Sequence, residues 1–159
     1  MIMPAATGGV TQRVRLTTSI LLAQTRNGGM LTKQAANLDA ISGGWLTLGL
    51  CVGSREYDFL GAPVSFSNRG KWFDEQLVLI KRVWAGESVG NGVGPVGPPP
   101  ARAGGPEILI GGFSPAALAR AWKWADDSWV PACLLSACSN STGQCRRPGN
   151  RPVDRASLG

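Results

Sequence analysis

The chain has 159 residues, and 16 Lys plus Arg against 10 Asp plus Glu give a formal net charge of +6, at a length that fits one domain of ~100–200 residues. It contains no His, which excludes Ser-His and Cys-His catalysis, His-ligated metal sites and the usual neutral-pH general base. No apolar run approaches the ~20 residues of a membrane-spanning helix, and residues 1–15 lack the apolar core of an export signal; a cytoplasmic protein with no membrane partner is expected.

The first element is a buried strand, predicted over Val14–Leu22 (VRLTTSILL) from its β-branched and aliphatic content. Helical spacing of Leu31, Ala35 and Leu38 predicts a helix over Met30–Ile41, which Ser42-Gly43-Gly44 terminates in the left-handed region that glycine adopts cheaply. Leu46–Val52 is the next strand. Ser67 is then placed to cap a helix in which Phe73, Leu77, Ile80 and Trp84 form one apolar stripe, ended by Gly86. Residues 88–106 hold too much Gly and Pro for either regular structure, and their glycines open no helix as a dinucleotide loop must. Glu107–Gly112 reads as a third strand, Ser114-Pro115 starts a helix carrying Ala117, Leu118, Ala121 and Trp122, and Ser128-Trp129-Val130 reads as a fourth strand. Strands and helices that alternate in this way, with near-continuous apolar strands, argue for an α/β fold with a parallel sheet.

Residues 1–131 and 132–159 differ in composition. Every aromatic lies before position 130, whereas Cys133, Cys138 and Cys145 lie after it, among Ser, Arg, Pro and Gly without apolar period. A disordered tail is expected, since such a stretch cannot offset its ordering entropy. The three cysteines match no common zinc spacing, so no metal is expected. Arg146, Arg147, Arg151 and Arg155 against Asp154 give the tail a net +3, half of the total. The basic balance is therefore poor support for a nucleic-acid partner, and the tail lacks aromatics on which bases could stack.

One octet bears on chemistry: Gly111-Gly112-Phe113-Ser114-Pro115-Ala116-Ala117-Leu118. A strand ending in two glycines lets a ligand approach the backbone, and a capping Ser then opens a helix whose unpaired N–H groups and dipole favour an anion. The same residues equally describe a tight turn and an ordinary helix cap.

Read together, TSILL, LTKQAANLDAISGGWLTLGLCVG, FSNRGKWFDEQLVLIKRVWAGE and PEILIGGFSPAALARAWKWADDSWVP resemble the bacterial luciferase-like monooxygenase family, over about Thr11 to Pro131. The resemblance implies a TIM-barrel fold that binds FMN or the 8-hydroxy-5-deazaflavin coenzyme at the C-terminal ends of the strands, where barrel enzymes place their chemistry. It places Ser19 and Ile20 at a non-proline cis peptide that supports the flavin ring from behind. Cys51, Val52 and Gly53 fall at a turn lining the cofactor pocket. Gly112, Phe113 and Ser114 fall in the phosphate-binding loop. No catalytic residue is assigned. Val52 stands where some relatives have an Arg beside the phosphate, so one positive contact is missing, which leans toward the deazaflavin. The turn at residues 23–29 lacks the family's usual prolines, Asp126-Asp127-Ser128-Trp129 replaces Asp-Gly-Trp, and the resemblance stops after Pro131, as though the tail came from another reading frame or were an unrelated replacement.

A TIM barrel closes eight strands with roughly 250 residues, so a partial barrel of about four parallel strands is expected, with open edges at Val14–Leu22 and Trp129–Val130 through which the chain could associate with itself. Two readings follow: a flavin- or deazaflavin-dependent oxidoreductase acting on a small organic substrate, incomplete in this chain, or a non-catalytic remnant that binds a partner through its open edges.

Overall fold

The computed structural model describes residues 1–88 and 94–125. The predicted strand at Ser128–Val130 and the tail from 132 lie outside them. In chain order the elements are helix α1 (Ile2–Val10), strands β1 (Leu16–Thr17) and β2 (Leu21–Leu22), helix α2 (Gly28–Ile41), strand β3 (Leu46–Cys51), helix α3 (Arg69–Trp84), strand β4 (Glu107–Gly111) and helix α4 (Pro115–Trp124). Short 3-10 turns cover Ala23–Thr25, Glu56–Phe59 and Phe66–Asn68.

β3 is the centre of an open parallel sheet. β1 and β2 both pair with one side of it and β4 with the other. The predicted first strand is thus two fragments of one line, and the break has a register cause. Leu16 and Thr17 face Leu46 and Thr47, but Leu21 and Leu22 face Leu50 and Cys51, so Thr18, Ser19 and Ile20 stand opposite only Leu48 and Gly49. The extra residue bulges out of the ladder, and the Ser19–Ile20 peptide within it is cis.

Alternation along the strands divides the sheet into two faces. Leu46, Leu48 and Leu50 of β3 and Ile108 and Ile110 of β4 join the core with Leu31, Ala35 and Leu38 of α2 and with Phe73, Leu77, Ile80 and Trp84 of α3. The α3 stripe read from the sequence is therefore the buried one, each large side chain stabilising by roughly 1.5–3 kcal/mol. Trp84 also donates its indole N–H to the Thr32 carbonyl at 3.3 Å, which ties α3 to α2. The other face carries Thr47, Gly49, Cys51, Glu107, Leu109 and Gly111, opposite one another in register.

Several ends differ from expectation. α2 begins two residues early, at Gly28, because the Asn27 side chain accepts the Met30 N–H at 3.1 Å and acts as its cap. Ser67 does not cap α3. It lies in the preceding 3-10 turn with its hydroxyl 3.1 Å from that of Ser65, and the helix starts at Arg69 without a side-chain cap. The stops hold: Gly43 and Gly44 after α2 and Gly86 after α3 all have positive φ. β4 ends at Gly111, one residue short, since Gly112 turns to φ 140°. α1 has no counterpart in the sequence reading. Its Gly8-Gly9 and Thr7 give no apolar period, yet Met1 and Ala5 pack on the core.

Candidate functional site

The C-terminal ends of β3 and β4 open into a groove of about 770 Å³, a volume within the ~300–1,000 Å³ typical of ligand sites. Seven of the eight residues picked out from the sequence line it: Ile20, Cys51, Val52, Gly53, Gly112, Phe113 and Ser114. Ser19 does not. It faces a neighbouring hollow of about 350 Å³ with Thr17, Thr18 and Leu109, and Ile20 and Gly111 border both spaces.

The floor of the groove is built by glycine. A Cβ on Gly111 would run into Ile20 Cδ1, and one on Gly49 would strike the Thr18 carbonyl and come within 3.1 Å of Ile20 Cγ1. The missing side chains leave the bulged Ile20 lying over the sheet, 43% exposed. Gly112 makes the next close approach. Its φ of 140° suits only glycine, and a Cβ there would sit 2.7 Å from that of Ala117.

One wall is the start of α4. Ser114 accepts the Ala117 N–H on Oγ at 3.2 Å, and its carbonyl accepts the Leu118 N–H at 3.1 Å. Pro115 has no N–H to satisfy, and no described group accepts that of Ala116. The Ser114 hydroxyl is therefore a helix cap by its oxygen, while its proton remains available to an anion at the positive end of the helix.

The groove also holds two residues that the sequence reading missed. Arg69, the first residue of α3, lines the groove, as does Arg120 of α4. Arg120 is held by Asp74 through two bonds of 2.7 and 2.9 Å and by the Gly70 carbonyl at 3.2 Å, so its charge is largely matched. Arg69 is different. Its guanidinium donates to the Gly53 carbonyl (Nε, 3.1 Å) and the Phe66 carbonyl (Nη1, 2.6 Å) and stacks 3.6 Å over the Phe66 ring, with no carboxylate partner among the described residues. A positive charge thus lines the groove from an element other than the turn at Val52. The FSNRG segment contained this residue, but nothing in its spacing could reveal that a helix start would be folded back against the strand ends.

Cys51, at the end of β3, is half-buried, and that burial raises its thiol above the ordinary range. The Gly53 backbone hydrogen bond lowers it in part, and the negative charge of Asp58 adds a smaller upward push.

The family model for luciferase-like monooxygenases matches residues 1–132. The chain belongs to the luciferase-like monooxygenase family. Its match begins at residue 1, ahead of the Thr11 at which the resemblance was first legible, and so takes in α1. Among solved structures, monooxygenase RslO1 from Streptomyces bottropensis superposes with a TM-score of 0.61 at 30% identity, over 67% of this chain and 35% of that one. Uncharacterized proteins of Mycobacterium tuberculosis and Mycobacterium bovis are each 31% identical in alignments of 143 positions that cover 81% of this chain and 46% of theirs. The chain spans about half the length of the curated relatives it matches. Its open parallel sheet with packed helices is accordingly a partial TIM barrel. Among the described residues no helix is long and apolar enough to cross a membrane.

Proposed function

We propose that this chain carries the cofactor-binding part of a flavin- or deazaflavin-dependent oxidoreductase of the monooxygenase type, with a small organic molecule as substrate. The observation that carries this reading is the groove at the strand ends, where the α4 N-terminus and an arginine without a carboxylate partner line one space. Such a pair suits a phosphate-bearing coenzyme. The fixed dipole and N–H groups favour the anion, and a guanidinium supplies charge-assisted bonds. Gly49 and Gly111 leave room for Ile20 to lie as an apolar support beneath a planar ring, and Val52, Gly53 and Phe113 border the same space.

FMN or the deazaflavin would supply the redox chemistry when bound, as coenzymes of this kind do. The chain's own residues would bind and orient it: Ser114 and Arg69 at the phosphate, Ile20 at the ring. Ser19 borders the neighbouring hollow and not the groove itself. Titration of the purified protein with FMN, followed by fluorescence quenching, and with the deazaflavin tests the reading. Binding of either at micromolar concentration supports it; failure of both removes the cofactor assignment.

A second reading, a subunit that associates through its sheet, is favoured by one observation. Among the described residues β1, β2 and β4 pair only with β3, so both flanks of the sheet present strand edges. Sedimentation across a range of concentrations tests it, and a monomer throughout would count against it.

A further inference from the structure

Two buried glutamines join the segment after β2 to helix α3, and they do so reciprocally. Gln24 of the 3-10 turn donates its Nε2 to the Arg69 carbonyl at 3.2 Å, and Gln76 of α3 donates its Nε2 to the Arg26 carbonyl at 2.9 Å. Gln24 is fully buried and Gln76 is 7% exposed, and the Oε1 of each is buried with no hydrogen-bond partner. An unpaired buried carbonyl destabilises a fold relative to an apolar side chain of similar size. Packing alone would therefore be better served by Leu or Met at both positions. What the amides add is directional: each grips a main-chain carbonyl of the other element.

The carbonyl that Gln24 grips is that of Arg69, and the turn holding Gln24 follows directly from β2 and the Ser19–Ile20 bulge. The Arg69 guanidinium in turn holds the Gly53 and Phe66 carbonyls. The bulge under the groove, the turn after β3 and the first residue of α3 are therefore linked in series through Gln24 and Arg69. We infer that Gln24 and Gln76 form an amide clasp that positions Arg69 against the cofactor groove, making them positioning residues for the anionic end of the coenzyme. The inference rests on the phosphate-binding reading given above.

The test compares FMN with riboflavin, which has the same ring and no phosphate, for the full chain and for Gln24→Leu, Gln76→Leu and Arg69→Ala. Arg69→Ala should weaken FMN by about 10–100-fold, the range of a charge-assisted bond. Gln24→Leu should weaken FMN by about fivefold to tenfold, part of that loss. Riboflavin affinity should stay within about twofold in both. In the Arg69→Ala background Gln24→Leu should add nothing, since it acts through the arginine. Because the leucine also removes an unpaired carbonyl, the thermal midpoint of Gln24→Leu should not fall. A lower midpoint with an unchanged FMN-to-riboflavin ratio would show mere packing and overturn the clasp. If Gln24→Leu does not fold, Gln76→Leu puts the same question to the other bond. Hydrogen exchange of the free protein separates this inference from the cofactor reading. The clasp predicts faster exchange across residues 53–70 in Gln24→Leu whether or not any flavin binds, and unchanged exchange there rejects it. Failure of the wild-type chain to bind FMN, riboflavin and the deazaflavin, with exchange altered as expected, removes the phosphate reading and leaves the clasp.

Discussion

The Thr18 hydroxyl stands in for a strand partner of Gly49. It accepts the Gly49 N–H at 2.8 Å and donates to the Gly49 carbonyl at 3.0 Å, both bonds buried. Where the ladder loses register, one side chain thus satisfies both polar groups of the central strand that the bulge leaves behind. The cost of an orphaned buried backbone group makes this a strong constraint on the floor of the groove.

Thr18→Val keeps the shape and removes both bonds. Leaving the Gly49 N–H and carbonyl buried without partners should destabilise the fold by about 2–6 kcal/mol, on ~1–3 kcal/mol per unsatisfied group. Urea denaturation measures it; a midpoint equal to that of wild type would mean that water or a shifted backbone fills the role.

Gly49→Ala and Gly111→Ala should differ in severity although both lie on the same face of the sheet. At Gly49 the new methyl meets the Thr18 backbone carbonyl, which cannot yield. At Gly111 it meets the far end of the Ile20 side chain, which can. Gly111→Ala should cost about 1–3 kcal/mol by overpacking, and adding Ile20→Val should recover part of that; Gly49→Ala should cost more and not respond to Ile20→Val. Equal losses measured by denaturation would contradict the assignment of what each glycine avoids.

Ser114→Ala separates the cap from the anion contact. Loss of the cap alone should lower stability by about 1 kcal/mol with FMN and riboflavin affinities falling together. A phosphate contact adds a selective loss for FMN of about 1–3 kcal/mol. Calorimetric titration of both flavins reads the difference.

Cys51 should resist alkylation at neutral pH. Burial raises its thiol above the ordinary value, so the neutral form is held in the folded state. The stability gained in this way is complete below the ordinary thiol pKa and is lost as pH rises through the higher folded-state value. Iodoacetamide labelling located by mass spectrometry should therefore show Cys51 reacting only at more alkaline pH than an exposed thiol. Labelling at pH 7 as fast as that of a small free thiol would refute it. The Cys51→Ser variant should lose less stability than wild type on the alkaline side.

Most of the frame was legible in the residues themselves. The α3 stripe, the apolar runs of β3 and β4 and the glycine stops at 43, 44 and 86 depend on local pattern and on φ angles that glycine alone tolerates, so they are written into neighbouring positions. The Ser114 cap and the turn at Gly112 were legible for the same reason. The Asn27 cap was hidden by the glycines that follow it, and Ser67 was misplaced as a cap because a 3-10 turn intervenes.

Only the tertiary structure decided the rest. The register step opposite Gly49 depends on two strands far apart in the chain meeting at different offsets. The charge of the groove depends on Arg69, which lies beyond a long loop from β3 and reaches the strand end only because Gly53 and Phe66 carbonyls receive it. Local pattern fixes which residues turn toward the core, since periodicity is a property of consecutive positions. Which polar groups converge on one space is set by packing between distant segments, and no spacing along the chain records that.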